Sequence, residues 1–465
     1  MTNLSLTIQA FLDDSWQDIA KLIFNDDKEL IELIYSDETT SLSQDNKGSD
    51  NYSYEHFLAD NHFAVSINYP VELFGTTITE GWLPVLDDMI PAGASRRYWM
   101  QRLDLTRLSK AEQDYELLRR ATIAPIGHLR IKEAVPLPTQ DEQRLFTLAD
   151  IADRDVNFLE YASEQGAMAG GATGAGGEAP KLLLRWRDDE AIWIDNQQLA
   201  DSEDRYYLVK YPRGQRTSLD CDILRAEYHY YHELTAMGFK TIDIDGMRLI
   251  EGDRYPSLWL PRFDIQIGQS ASPYKRFAIE SIYSMLKKGA GAMLDHHAVI
   301  HELIALIESS NMVDEGFYFD KQAFVIEWVQ RDLLNIAFGN SDNHGRNHAF
   351  MRDADQIWLT PIYDFAPMRA DPEGIPRSIK WKTVDAWSSD KLESGGRYRF
   401  DLIAEQLADV VPPEVLLGEL KTTAKNLLNL KTRLAARGVP ERILSFPAIG
   451  FDYLPQNLEA WRLLN

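Results

Sequence analysis

From about residue 275 onward the hydrophobic period of the chain turns helical, and that change limits the folds open to it. Between 181 and 261 the apolar residues fall in short runs bounded by turn formers. KLLLRWRDDEAIWI (181–194) reads as a strand, a turn around Asp188-Asp189 and a second strand. RYYLVKYP (205–212) reads as a third strand, and YPSLWLP (255–261) as a further one. One helix interrupts them, LDCDILRAEYHYYHELTAMGF (219–239), closed by Gly238. Downstream the period is helical in FAIESIYSMLKKG (277–289), HHAVIHELIALIESS (296–310) and FVIEWVQRDLLNIAF (324–338). VLLGELKTTAKNLLNLKTRLAARG (415–438) reads as one long amphipathic helix stopped by Gly438 and Pro440. A mixed lobe followed by a mostly helical lobe is an α+β fold.

The first 150 residues are less regular. Residues 1–40 read as amphipathic helix or mixed structure, and SLSQDNKGSDNYSYE (41–55) as an exposed polar loop. HFAVSINYPVEL (62–73) suggests a strand, and 81–103 a helix interrupted near Pro91. LSKAEQDYELLRRA (108–121) is helical with Ser109 as its cap, and a short strand follows Pro125 and Gly127. The expected division is an α+β subdomain over 1–150, a mixed lobe over 151–264 and a helical lobe over 265–465. At 465 residues and 45% hydrophobic, the chain has ample material for several cores. No run approaches the ~18 apolar residues of a spanning helix, so no membrane association is expected. MTNLSLTIQAFLDDSW lacks a basic n-region and does not read as a signal peptide. With a single cysteine, Cys221, no intrachain disulfide can form, and a cytoplasmic location is the simple expectation. A net charge of −24 repels phosphate backbones, so direct nucleic-acid binding is not expected.

Three constellations carry chemistry. GAMAGGATGAGGEAP (166–180) holds six glycines. Such a tract is either a flexible linker or a loop whose backbone N–H groups cradle an anion. No GK[ST] closes it, so it is not a Walker loop. Lys210, in YYLVKYP, is either a snorkelling edge-strand residue or a phosphate-binding lysine held by a carboxylate, for which Glu227 on the next helix is the candidate. The third lies in GNSDNHGRNHAF (339–350), where Asp342 and Asn347 stand five apart. That is the spacing of a phosphoryl-transfer loop that pairs a proton-accepting carboxylate with a metal-binding amide. Asp364, in YDFAP seventeen residues after Asn347, suits a second metal ligand. His344 and His348 are spaced for zinc if they lie on a helix, although Gly345 and the surrounding asparagines favour a loop.

In this order the pieces resemble the HipA-like serine/threonine kinases of bacterial toxin–antitoxin systems. GGEAPKLLL (176–184) is similar to that family's glycine-loop exit. LVKYP is similar to its ATP-lysine strand, RAEYHYY to its helix glutamate, and GNSDNHGRNHAF with PIYDFAP to its catalytic and metal loops. GHLRI (127–131) and DDMIPAGASRR (87–97) look like its N-terminal subdomain. The resemblance implies a protein-kinase-like two-lobed fold and transfer of the γ-phosphoryl group of ATP, with Mg2+, to a protein hydroxyl. It implies Asp342 as the catalytic carboxylate and Asn347 and Asp364 as metal ligands. It places Gly174, Gly176, Gly177, Lys181, Lys210, Glu227, Leu260, Phe263 and His344 around the nucleotide, with the hinge at Leu260 to Phe263. Thr173, the hydroxyl residue of the glycine tract, stands where relatives carry an autophosphorylated serine. The partners implied are a protein substrate and an antitoxin protein. The sequence departs from protein kinases in having Asn340-Ser341 before the catalytic Asp and Ala366 after Asp364-Phe365. A regulatory binding module that keeps the fold without turnover, or a small-molecule phosphotransferase on the same fold, stays open beside this reading.

Overall fold

The structure, a computed structural model, describes residues 4–12, 14–35, 64–71, 76–78, 81–123, 125–135, 145–152, 180–187, 191–195, 204–267, 274–310, 316, 318–353, 355–382 and 391–464. It is α+β in two lobes, with a further N-terminal sheet.

The N-terminal segment is β, not the helix or mixed structure expected for residues 1–40. Strands β1 (Leu4–Leu12), β2 (Ser15–Phe24), β3 (Leu30–Tyr35), β4 (Thr76–Ile78) and β5 (Leu129–Ile131) form an antiparallel sheet in the order β4-β3-β2-β1-β5. The reason is legible afterwards: Leu6, Ile8, Ala10 and Leu12 alternate with period two and are all buried in one cluster. Leu12 pairs with Ser15, and Asp14 takes φ 63° in the turn between them. The strand expected within 62–73 is instead a single bridge between Ser66 and Tyr69. Its backbone is tied sideways, because the Glu280 carboxylate accepts from the Ser66 hydroxyl at 2.5 Å and from the Ile67 N–H at 2.9 Å. The helix Lys110–Ala121 begins as expected at Ser109, in a reciprocal capping box with Glu112.

The second sheet contains β6 (Lys181–Trp186), β7 (Ile192–Ile194), β8 (Arg205–Lys210), β9 (Arg248–Glu251) and β10 (Pro256–Pro261), in the order β7-β6-β8-β10-β9. Its two faces sort by parity. Leu182, Leu184, Tyr207, Val209 and Trp259 bury against Phe146 and Ile151 on one side. Leu183, Leu208, Leu258 and Leu260 bury on the other, against Ile223, Leu224 and Tyr230 of the helix Ser218–Ala236. Lys181 and Lys210 share the parity of this second face and stand directly opposite each other in the β6–β8 register. β8 is the middle strand, so Lys210 is no edge residue; it is 3% exposed.

The helical lobe holds the largest core, built on the helices His296–Glu308, Lys321–Phe338 and Pro413–Leu427. Two expectations are corrected in it. The segment 277–289 is mostly not helix: Ala278–Ser281 pairs as a strand with Ala349–Arg352, and only Ile282–Met285 coils, capped by Ser281. The long helix over 415–438 breaks in two, Pro413–Leu427 and Leu430–Arg437, with Asn429 at φ 59° between them. Asn tolerates that left-handed conformation. The Arg433 guanidinium, donating to the carbonyls of Asn426 and Leu428, satisfies backbone that a straight helix would have paired. The break turns the second helix so that Arg433 and Arg437 both reach Glu233 on the Ser218–Ala236 helix, each at 2.5 Å.

Candidate active site

The cleft between the lobes gathers the charged residues singled out in the sequence. Thr217 and Asp220 start the Ser218–Ala236 helix in a capping box. Its third turn brings the Glu227 carboxylate to Lys210, whose Nζ donates to Oε1 at 2.6 Å. The same ammonium donates to Asp364 Oδ1, while Lys181 Nζ reaches Asp364 Oδ2 at 3.3 Å. Two buried ammonium groups thus alternate with two carboxylates. Burial alone would lower the Lys210 pKa, but Asp364 and Glu227 outweigh it and hold it above the ordinary lysine range. Burial pulls Lys181 below that range; Asp364 opposes the pull and the charge of Lys210 adds to it. For Asp364, burial would raise the carboxyl, and Lys181 and Lys210 more than reverse this, holding it well below the usual carboxylate range.

Asp364 stands at φ 51°, a left-handed conformation that costs a non-glycine residue about 1–2 kcal/mol. It persists because the flanking residues are held. Phe365 packs against Tyr230 and Phe338, the Phe365 N–H donates to the Tyr231 hydroxyl at 3.2 Å, and the Tyr363 hydroxyl donates to the Arg346 carbonyl at 2.6 Å.

Asp342 lies at the junction of two cavities. One is shared with Lys181, Lys210, Glu227 and Asp364, the other with Asn335, Asn340, Asn347 and His348. The helix Lys321–Phe338 ends at Gly339, φ 72°, and the loop after it is built from asparagine side chains. Asn340 donates to Asn335 Oδ1 at 2.9 Å and accepts from the Asp342 N–H at 3.2 Å. Asn343 donates to the Ile379 carbonyl at 2.9 Å and accepts from the Ser378 N–H at 2.8 Å, tying the loop to the strand Ile379–Lys380. Asn347 Nδ2 donates to the Asp342 carbonyl at 2.8 Å. That bond turns its Oδ1 the other way, where it is buried without a hydrogen-bond partner. Gly345 is required by space: a Cβ there would lie 2.5 Å from the Tyr283 ring.

The two histidines lie in this loop and not on a helix, so they lack the shared face that a spacing of four gives. His344 Nε2 is 3.4 Å from Asp342 Oδ1. His348 is buried beside Trp328, and burial pulls it down to about 3, with Arg331 adding to the pull. Among the described residues no group of three or more His, Cys, Asp or Glu side chains gathers in a metal-binding cluster.

Behind Lys210 the cleft narrows to an apolar pocket lined by Ile126, Leu208, Ile242, Leu260, Phe263 and Tyr363. Leu260 and Phe263 therefore sit in the cleft, on the segment linking the two lobes. That segment is braced by Arg262, which bonds Asp264 and Asp195, and by Asp264, which accepts from the Gly127 N–H at 2.8 Å. Thr173, Gly174, Gly176 and Gly177 lie outside the described residues. Sequence reasoning missed Tyr231, Asn343 and the role of Asn340. A tyrosine among three in YHYY and an asparagine among three in the loop carry no local signal that separates them from their neighbours.

Among the described residues no helix is long and apolar enough to cross a membrane. No curated protein matches the chain in sequence. Among solved structures the chain is similar to the HipA of Shewanella oneidensis MR-1, from a toxin–antitoxin complex of HipA, HipB and its operator DNA. The TM-score is 0.58 at 15% identity, covering 98% of this chain and 97% of that one. The match takes in the N-terminal sheet as well as the two lobes. A second structure, the Helicobacter pylori proinflammatory kinase CtkA, matches at a TM-score of 0.34 and 12% identity, over 57% of this chain and 89% of that one. The model of the HipA-like C-terminal domain matches residues 173–426, which include both lysines, Glu227, the asparagine loop and Asp364, and the chain belongs to that family.

Proposed function

We propose that the protein is an ATP- and Mg2+-dependent kinase that transfers a phosphoryl group to a serine or threonine hydroxyl of a protein substrate. The observation that carries this reading is the orphaned Asn347 Oδ1. It is a buried amide oxygen with no donor, in a cavity that shares Asp342 with the one holding the ion-paired carboxylate Asp364. An amide oxygen and a carboxylate are the hard oxygen ligands magnesium takes, so the residues fit the ion. The apolar pocket at Leu260 and Phe263 fits a purine, and Lys210, which also lines that pocket, fits a polyphosphate together with Lys181 of the adjoining cavity. When bound, Mg-ATP supplies the transferable phosphoryl group and neutralises the charge that develops on it.

The chain's own residues do the rest. Lys210, fixed by Glu227, holds positive charge where phosphate oxygens would lie, and needs no reorganisation to do so. Asp342 orients the attacking hydroxyl and accepts its proton. Its backbone is held from two sides, by Asn340 and by Asn347. Asn343 ties the loop to Ile379, so the carboxylate position is set by the helical lobe as a whole. By the same reading Thr173 is a site of autophosphorylation, and an antitoxin of the kind that accompanies the Shewanella HipA is the partner.

Incubation with labelled ATP and Mg2+ tests the reading. Label on a protein hydroxyl, lost in Asp342→Asn by roughly 10²–10⁴-fold in a folded variant, is the expected result. ATP binding without turnover would leave a regulatory module, and label on a small molecule would leave a different phosphotransferase. Either overturns the proposal.

A further inference from the structure

The kinase reading leaves a fully buried polar group beside Glu227 without a role. Tyr231 is 0% exposed, one turn along the helix from Glu227. Its hydroxyl does two things at once. It donates to Glu227 Oε1 at 3.0 Å and accepts from the Phe365 N–H at 3.2 Å. Glu227 Oε1 also accepts from Lys210, and Lys210 donates in turn to Asp364, the residue before Phe365. The contacts therefore close a ring: Lys210, Glu227, Tyr231, Phe365 and back through Asp364. The place calls for a group that donates and accepts at once, because one neighbour is a donor and the other an acceptor, and the phenol hydroxyl does both with a single atom. Burial, with the charges of Glu227 and Asp364 adding to it, raises the phenol well above its ordinary pKa, so the hydroxyl keeps its proton.

We propose that Tyr231 is a positioning residue that couples the Lys210–Glu227 pair to the loop bearing Asp364, so that the lysine and the carboxylate take their working positions together. The proposal rests on the kinase reading of the site. The helix that carries Tyr231 is itself anchored from behind. Glu233, 1% exposed, is held by Arg433 and Arg437, and the Tyr230 hydroxyl donates to the Phe338 carbonyl at 3.2 Å. A rigid helix on one side leaves the loop as the part that moves when the bond is lost. Asp364 is the residue most exposed to such a loss, since its left-handed backbone depends on what holds its neighbours. No hydrogen bond joins Asp364 to Tyr231 directly, so the effect on that carboxylate is transmitted through the Phe365 backbone on one side of the ring and through Glu227 and Lys210 on the other.

The test uses the full chain with Tyr231→Phe, which keeps the ring and removes only the hydroxyl. Hydrogen exchange of the peptide spanning Asp364 and Phe365 should speed by about 10-fold or more, while the peptide from the Lys321–Phe338 helix keeps its protection. Phosphorylation turnover should fall by about 10–100-fold with the KM for ATP changed by less than about 3-fold, because the lysine remains paired with Glu227. The loss should also be non-additive with Glu227→Gln, since both act in one ring. Unchanged exchange at Phe365, or turnover equal to the parent in a folded Tyr231→Phe protein, overturns the coupling and leaves the kinase reading intact. A parent protein that transfers no phosphoryl group overturns the kinase reading, and the exchange measurement still decides whether the bond holds the loop.

Discussion

Replacing Lys210 by methionine separates the structural part of the charge cluster from its chemical part. The side chain of Glu227 is 4% exposed and that of Asp364 18%, and Lys210 is the ammonium they share. Removing one partner of a buried pair and leaving the other charged costs about 3–5 kcal/mol. Here the lower end applies, about 3 kcal/mol, because Tyr231 still donates to Glu227 and Lys181 still lies 3.3 Å from Asp364. The penalty depends on pH with a definite sign. Lys210 is one of the two ammonium groups that hold the Asp364 carboxyl below the usual range, so the stability this contributes is present above the ordinary Asp pKa of about 4 and is lost as the carboxyl protonates. The variant should therefore be least stable relative to the parent near pH 8, and the difference should shrink as the pH falls below about 4. Adding Glu227→Gln removes the unpaired charge and should restore most of the stability near pH 8 without restoring turnover. Urea unfolding of parent, single and double variants at the two pH values measures this, with phosphorylation assayed in parallel. If Lys210→Met unfolds with the parent near pH 8, the pair carries no buried charge and the argument fails.

Asp88 provides a second pH test, away from the cleft. It accepts from the Ser281 N–H at 2.8 Å and the Ser281 hydroxyl at 2.7 Å, yet burial pushes its carboxyl up to about 7. Its folded pKa is thus above its unfolded one, so stability should fall as the pH rises from about 4 to about 7 and level off beyond, with a slope of about 1.4 kcal/mol per pH unit inside that window. Asp88→Asn should flatten that limb in pH-dependent unfolding; a parent protein with no decline across the window would contradict the assignment. Gly345→Ala should displace the asparagine loop, because the new Cβ would meet the Tyr283 ring at 2.5 Å. A loss of about 1–3 kcal/mol is expected, together with a fall in turnover. Melting and turnover both equal to the parent would show that the loop has room to spare.

Much of the site was legible because its parts are local. The short apolar runs of KLLLRW and RYYLVK, the helical period and Gly238 of the segment after them, and the five-residue spacing of Asp342 and Asn347 are properties of short stretches. The structure forms those strands and that helix, and ends its third long helix at Gly339 directly before the loop. The parity of Lys181 and Lys210 on their strands was likewise settled by sequence, since side chains alternate across a strand whatever lies beside it. Their meeting was not. It needed β6 and β8 to pair in the register that sets Lys181 against Lys210, with β8 in the middle of the sheet. Tertiary structure also decided that the hydroxyl of Tyr231 and not that of Tyr230 accepts from the Phe365 N–H, that Asn343 is spent on Ile379 while Asn347 keeps a bare oxygen, and that the last long helix breaks at Asn429. It turned residues 4–35 into strands where helix was an equal choice. The physical reason is common to all of these. Propensity, capping and periodicity are energies within a segment, whereas register, burial and the choice of hydrogen-bond partner are settled between segments, where a group has only the neighbours that the closed core brings to it.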